Sequence, residues 1–273
     1  AEREGVLHGL LRVRAFTQDD AHIYCTPEQI VGEVASVCEA IDELYERFGF
    51  EDVHVELSTR PEKSIGTDEQ WAEAEEALRG ALESQGREYQ LNPGDGAFYG
   101  PKIDFHVTDA LGRSWQCGTC QVDFFMPERF DLYYTDQNDE QQRPVMIHRA
   151  LLGSMERFAG ILIEHYAGRF PVWLAPVQAI VLPISDRHAD YGRRAFEQLR
   201  ELGVRVALDD RSESVGRKIR DAAAIGRYPY MLVVGDREEE NGAVSVRSHA
   251  EGDLGEMPIS EFAARVEAET AVR

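Results

Sequence analysis

Apolar residues recur at helical spacing after Thr26-Pro27-Glu28-Gln29: Ile30, Val34, Val37, Ile41, Leu44, Tyr45 and Phe48 share one face of a predicted helix. Thr26 and Gln29 have the spacing of a capping box, with Pro27 at the first helical position. Residues 53–57 alternate apolar and polar like a strand, and an acidic helix is predicted over 68–86, stopped by Gly86. Residues 102–107 and 114–123 flank the turn-rich Asp109-Ala110-Leu111-Gly112-Arg113 and predict an antiparallel hairpin. A long helix is expected over about 149–167.

Two prolines frame residues 171–176, a stretch that reads as a linker, and the pattern changes beyond it. Strands at 179–184, 204–208, 231–234 and 243–247 alternate with helices at 187–202 and 214–225, the pattern of a small α/β domain. A last helix is expected to begin near Ser260, with its hydroxyl as N-cap. The domains read as 1–173 and 174–273.

Composition narrows the class. No apolar stretch approaches the roughly 18 residues of a membrane span, so no membrane partner is expected. The charged opening after Ala1 lacks the apolar core of a signal peptide, and a cytoplasmic location is expected. Cys25, Cys38, Cys117 and Cys120 are too few and too irregular for a disulfide framework in a chain of 273 residues. The formal charge is −21, and it is uneven: residues 1–173 hold 15 basic and 32 acidic side chains, residues 174–273 hold 14 and 18. Such a surface repels polyanions on average, which leaves only local basic patches for phosphates.

Several segments gather chemistry. Residues 12–22 pack Arg12, Arg14, Phe16, Gln18, Asp19, Asp20 and His22 into eleven positions. Guanidinium forks suit phosphates, a phenyl face can stack on a base, and a carboxylate can hold an ammonium group. The bland alternative is a polar turn with Phe16 in the core. Phe98-Tyr99-Gly100-Pro101-Lys102 is a sharp turn that delivers a hydroxyl and one of only three lysines to the start of a strand. Gly153-Ser154-Met155-Glu156-Arg157 falls in the long predicted helix, where Arg157 could sit on a solvated face. His22 and His148 lie too far apart for spacing to test them as a metal pair. Cys117-Gly118-Thr119-Cys120 has the CxxC spelling, but it lies in a predicted strand rather than at a helix N-terminus and has no second CxxC, so two packed thiols are expected. Neither GxxxxGK[ST] nor GxGxxG occurs.

In this order, LHGLLRVRAFTQDDAHIYC, FYGPKIDFHVTDALGRSWQCGTCQVDF, RPVMIHRALLGSMERF and FPVWLAPVQ closely resemble the bacterial threonyl-tRNA synthetases, members of class II. The resemblance runs from Ala1 to the last helix. It implies an α+β fold: part of the class II antiparallel-sheet core, then a small α/β anticodon-binding domain. It also implies ATP, magnesium, L-threonine and tRNA(Thr) as ligands, formation of threonyl-adenylate, transfer to tRNA, and a homodimer.

The roles it implies are carried residue by residue. Glu2 would hold the adenine or amino-acid side of the adenylate, Arg12 the γ-phosphate, and Phe16 would stack under adenine with Arg157 opposite and Ser154 nearby. Gln116 and Thr119 match the ribose and phosphate contacts. Lys102 would neutralise the reacting carboxylate and α-phosphate, where negative charge develops. Gln18, Asp20, Tyr99 and Gln121 match the groups around the amino acid, and His22 and His148 match two ligands of a zinc whose third ligand, a Cys, belongs to a segment upstream of this chain. Cys25 and Cys120 are not placed by the pattern as substitutes. A metal that demands a hydroxyl ligand rejects valine, which a merely shaped pocket does poorly. Ser212, Glu238 and Arg247 fall on positions for anticodon bases, Ser212 where Asn is frequent. Ala15 stands where Gly is usual and Cys120 where an aliphatic residue is usual. The motif 2 Arg would fall just before Ala1, so residues 1–273 alone are expected to be inactive. The competing readings are a non-catalytic tRNA-binding or regulatory module on the same fold, and a CxxC redox protein.

Overall fold

Alternating strands and one-faced helices build two compact units, Ala1–His165 and Tyr166–Arg273, in a computed structural model that describes residues 7–271. The first unit runs β1 (Ala21–Cys25), α1 (Ile30–Arg47), β2 (Val53–Ser58), α2 (Asp68–Ser84), β3 (Gln90–Asn92), β4 (Lys102–Thr108), β5 (Ser114–Asp123), α3 (Phe125–Arg129), β6 (Tyr134–Thr135), β7 (Gln141–Gln142), β8 (Val145–Ala150) and α4 (Met155–His165). Its six-stranded sheet has the order β1-β8-β5-β4-β2-β3 and is antiparallel except for the β2–β3 pair.

The two faces of that sheet differ in kind. Val55, Leu57, Ile103, Phe105, Val107 and Val122 are buried, as are Ile30, Val34, Ile41 and Tyr45 of α1 and Leu78, Ala81 and Leu82 of α2. Each Val, Leu, Ile or Phe among them contributes roughly 1.5–3 kcal/mol when fully buried, so this face is a main source of the unit's stability. The alternate residues of β2 and β4, His54, Glu56 and Ser58 with Lys102, Asp104 and His106, are polar and pair across the strands. A β-sheet with one apolar and one polar face leaves the polar one for chemistry.

Two expected elements come out differently. The long helix begins at Met155, not near 149, because residues 145–150 form β8 and Gly153 turns the chain with φ +70. A Cβ on Gly153 would overlap the Cys117 carbonyl, so this close approach requires glycine. The register of β4 against β5 slips between Asp104 and His106, and this bulge resets the alternation, so Cys117 and Cys120 are both buried although they stand three apart.

The second unit runs β9 (Ala179–Pro183), α5 (Ala189–Glu201), β10 (Val206–Leu208), α6 (Val215–Asp221), β11 (Tyr230–Val234), α7 (Asp236–Asn241), β12 (Ala243–Ser248), β13 (Gly252–Pro258) and α8 (Ile259–Thr270). Its sheet order is β10-β9-β11-β12-β13, parallel among the first three strands and antiparallel beyond. One face packs Val181, Leu232 and Val246 against Leu199 and Phe262, and the other packs Ile180, Leu182 and Met231 against Ala222. Helices on both faces explain why β9 is buried throughout. Ser260 lies inside the first turn of α8, whose N-cap is Pro258. No helix among the described residues is long and apolar enough to cross a membrane.

Candidate active site

Register alone assembles a row across the polar face of the first unit. His22 pairs with His148, His148 with Gln121, Gln121 with Lys102, and Lys102 with Ser58. Neighbouring strands lie about 4.8 Å apart, so groups from five separate strands line one continuous row. A second row follows, in which Ala150 pairs with Thr119, Thr119 with Asp104, and Asp104 with Glu56.

The two imidazoles meet edge to face with ring centroids 4.6 Å apart, and the Tyr99 ring stands 5.2 Å from that of His148. Asp123, whose side chain is fully buried, lies with Oδ2 2.9 Å from His148 Nε2 while its Oδ1 accepts from the amides of Phe125 and Met126. A carboxylate on one ring nitrogen fixes which nitrogen is left for a ligand. Burial, and then the charges of Asp123 and Asp20, push the Tyr99 phenol up, so it remains a hydroxyl that donates to Gln121 Oε1.

Among the described residues, no group of three or more His, Cys, Asp or Glu side chains converges where a metal ion could sit. The donor chemistry of the histidine pair nonetheless fits zinc, because adjacent imidazoles with a carboxylate behind one of them make two of its customary ligands. Cys25 and Cys120 do not complete the set. Both are buried, with burial raising the Cys25 thiol to about 11 and the Cys120 thiol well above its ordinary value.

Lys102 reaches Asp104 at 2.7 Å and Asp95 at 3.3 Å. Burial lowers the pKa of its ammonium, but the hydrogen bond and charge of Asp104, with Asp95, outweigh this and the net shift is upward. Asp104 also accepts from Gln116 Nε2 at 2.7 Å and Thr119 Oγ1 at 2.8 Å. Arg157 lies over the Trp115 ring at 5.4 Å and donates to the carbonyls of Leu11 and Gln116, so its guanidinium is built in rather than solvated. Ser154 accepts from the Arg157 amide.

Residues 17–20 are clamped onto the turn that leads into α4. The Thr17 amide donates to both Glu156 oxygens, Thr17 O accepts from the Met155 amide, and Gln18 bridges Ser154. Asp19 accepts from the amides of Leu151, Leu152 and Gly153 at 2.8–3.2 Å. Phe16 is 56% exposed, contrary to the core position of the bland reading, and Asp20 and His22 are exposed beside it in sequence. Arg12 closes a turn in which the His8 amide donates to Arg12 O. Glu2 lies outside the described residues.

In the second unit, Ser212 donates to Asp186 at 3.0 Å, and Glu238 is buried, accepting from the Gly235 amide and the Ser245 hydroxyl. Arg247 is exposed and stands 3.7 Å from Asp253. Among the described residues no hydrogen bond or ion pair joins these three to one another. Asp19 stands in the sequence among the polar residues 12–22 with no role of its own, and Asp104 and Asp123 stand in strands with none. Their one local signal is a carboxylate in or beside an otherwise buried strand.

Residues 1–166 match the tRNA synthetase class II core domain (G, H, P, S and T), and residues 178–269 match the anticodon binding domain. The chain thus belongs to the class II aminoacyl-tRNA synthetases, with the antiparallel core and α/β domain expected from its sequence. It is 58% identical over 261 residues to the threonine–tRNA ligase of Carboxydothermus hydrogenoformans, an alignment covering 96% of this chain and 41% of that protein. It is 56% identical over 272 residues to that of Caldanaerobacter subterraneus subsp. tengcongensis, covering 100% and 42%. The crystal structure of the RNA binding domain of threonyl-tRNA synthetase from Cryptosporidium parvum Iowa II superposes with a TM-score of 0.94 at 42% identity, covering 100% of this chain and 68% of that one. Within its class the chain is a member of the threonyl-tRNA synthetase family, and it spans about two-fifths of the length of these curated relatives.

Proposed function

We propose that residues 1–165 form part of the site at which a threonine–tRNA ligase activates L-threonine with ATP-magnesium, and that residues 166–273 read the anticodon of tRNA(Thr). The observation that carries this reading is the row His22, His148, Gln121 and Lys102, set beside the clamp of residues 17–20 on 151–156. An amino acid placed along the row meets the histidines, with the zinc they would hold, at one end and a lysine at the other, which matches an amino group and hydroxyl at one end and a carboxylate at the other.

In the first step a carboxylate oxygen of threonine attacks the α-phosphorus of ATP and pyrophosphate leaves. Negative charge grows on the phosphoryl oxygens, and Lys102 and Arg12 are the cations offered to it. Phe16 and Arg157 supply the planes for adenine, the first exposed and the second fixed on Trp115. Gln18, Asp20, Tyr99 and Gln121 surround the amino acid, with Gln116, Thr119 and Ser154 toward the nucleotide. Zinc held by His22 and His148 would supply a Lewis acid that requires a hydroxyl on the substrate, and so rejects valine. A hydroxyl of the tRNA terminus then takes the threonyl group and AMP leaves. The protein works in the cytoplasm as a homodimer.

The test is a chimera in which residues 1–273 replace the matching part of the Caldanaerobacter ligase. The chimera is expected to support threonine-dependent ATP–pyrophosphate exchange and charging of tRNA(Thr), with valine silent, while residues 1–273 alone show neither. A folded chimera with no threonine dependence would favour the tRNA-binding module instead.

A further inference from the structure

One buried carboxylate touches three residues placed in the site. Asp104 is 2% exposed, its Oδ1 accepting from Gln116 and Thr119 and its Oδ2 from Lys102. Beside an ammonium, an ionised carboxylate can only accept hydrogen bonds, and that restriction passes outward. The Thr119 hydroxyl must spend its single proton on Asp104, so toward Gln121 it shows only lone pairs, and Gln121 Nε2 donates to it at 3.3 Å. The Gln121 amide is thereby oriented with Oε1 outward, where it receives the Tyr99 proton. Tyr99 then has no proton left and presents lone pairs to the space beside His148. On the other branch, Gln116 is held through its NH2, which leaves its Oε1 as the end turned away from Asp104.

We propose that Asp104 is a positioning residue that sets the direction of every hydrogen bond from Gln116 to Tyr99, so that the site shows acceptors both to the amino acid's ammonium and to a hydroxyl of the nucleotide. The assignment of those two ligands rests on the function proposed above, whereas the direction of the chain of bonds does not. The substitution Asp104→Asn supplies an NH2 that can donate to Thr119. Thr119 would then donate to Gln121, the Gln121 amide would turn over, and the Tyr99 proton would point at the incoming ammonium.

The test uses side-chain NMR of residues 1–273, followed at the Gln116 and Gln121 amide groups and the Thr119 hydroxyl. In the wild type both amides and the hydroxyl are expected to exchange slowly with solvent. Asp104→Asn is expected to shift the Gln121 amide, two hydrogen bonds away, as well as that of Gln116. Thr119→Val, which keeps the charge of Asp104, is expected to release Gln121 and leave Gln116 unchanged, and it serves alone if Asp104→Asn does not fold. A Gln121 amide indifferent to Thr119→Val overturns the proposal. In the chimera, Asp104→Asn is expected to raise KM for threonine about tenfold, the worth of one charge-assisted hydrogen bond, with Asp104→Glu recovering part of it. If the unsubstituted chimera lacks threonine-dependent exchange, the functional reading fails, and the NMR result still decides the direction of the bonds.

Discussion

In the first unit, the groups proposed to face the ligands rest on carboxylates set into the fold: Asp123 behind His148, Asp104 behind Lys102, Gln116 and Thr119, and Asp19 under the turn into α4. In the second unit, the residues proposed to read the anticodon are held differently. Glu238 spends both oxygens on its own helix cap and on Ser245, and Ser212 and Arg247 make single contacts with surface acids. A reaction between small molecules requires groups fixed to a fraction of an ångström, which only a second layer of bonds provides. A macromolecular partner brings its own rigid surface and many contacts, so each residue that reads it can stand alone. Substitutions in the first unit should therefore disturb stability and chemistry together, and those at the exposed Ser212 and Arg247 of the second should separate them.

The largest effect should come from Asp19→Ala. Three backbone amides would lose a charged acceptor at once, which predicts a destabilisation of about 3 kcal/mol. Urea unfolding of residues 1–273 measures it, and a loss below about 1 kcal/mol would mean that water replaces the carboxylate and that the clamp is not a support.

A second test uses acid. The Asp109 carboxylate is buried, which alone would raise its pKa, but hydrogen bonds from Trp115, from Arg113 and from the Leu111 amide overcome this and lower it to about 2. A depressed carboxylate contributes stability that is fully present above its unfolded value near 4 and is lost as pH falls through the folded value. The first unit should loosen between about pH 4 and pH 2, read as a change in Trp115 emission, and Asp109→Asn should flatten that part of the pH dependence.

A smaller and slower signal distinguishes packed thiols from a redox pair. All four cysteines are free and buried, and burial raises Cys117 to about 12, with Arg157 opposing. At neutral pH, Cys117 and Cys120 should react with an alkylating reagent at least about a hundredfold more slowly than an ordinary exposed thiol. Rapid modification of either would revive the CxxC redox reading.

How much of this could be read from the sequence follows the same division. The helical period of residues 30–48 gave α1, and the alternation of 102–107 and 114–123 gave the central hairpin, because those elements have one apolar side. Residues 145–150 escaped because β8 lies between β1 and β5 and does not alternate cleanly, and its last residues passed for the start of α4. His22 and His148 could be paired only through resemblance, since cross-strand register rather than spacing makes them neighbours. The supporting carboxylates of β4 and β5 have only a weak signature, an acid in an otherwise buried strand. A buried Asp that holds other side chains looks, in sequence, like any acid in an acidic chain.

Arg247→Ala should have the smallest effect on the protein and the sharpest meaning. Its side chain is 46% exposed, and its ion pair with Asp253 spans 3.7 Å in solvent, so the pair contributes little and the change in stability should stay within about 0.5 kcal/mol. In the chimera, threonine-dependent ATP–pyrophosphate exchange should be unchanged, because that step needs no tRNA. Charging should show a raised KM for tRNA(Thr), by about tenfold if the guanidinium forms a forked bond to a base. Glu238 cannot make this separation, since its carboxylate also caps α7 and a substitution there would mix folding with recognition. An Arg247→Ala chimera that lost exchange, or one that charged tRNA(Thr) with an unchanged KM, would break the contrast between the units: the first outcome would make Arg247 part of the framework, and the second would move the anticodon contact elsewhere on the α/β domain.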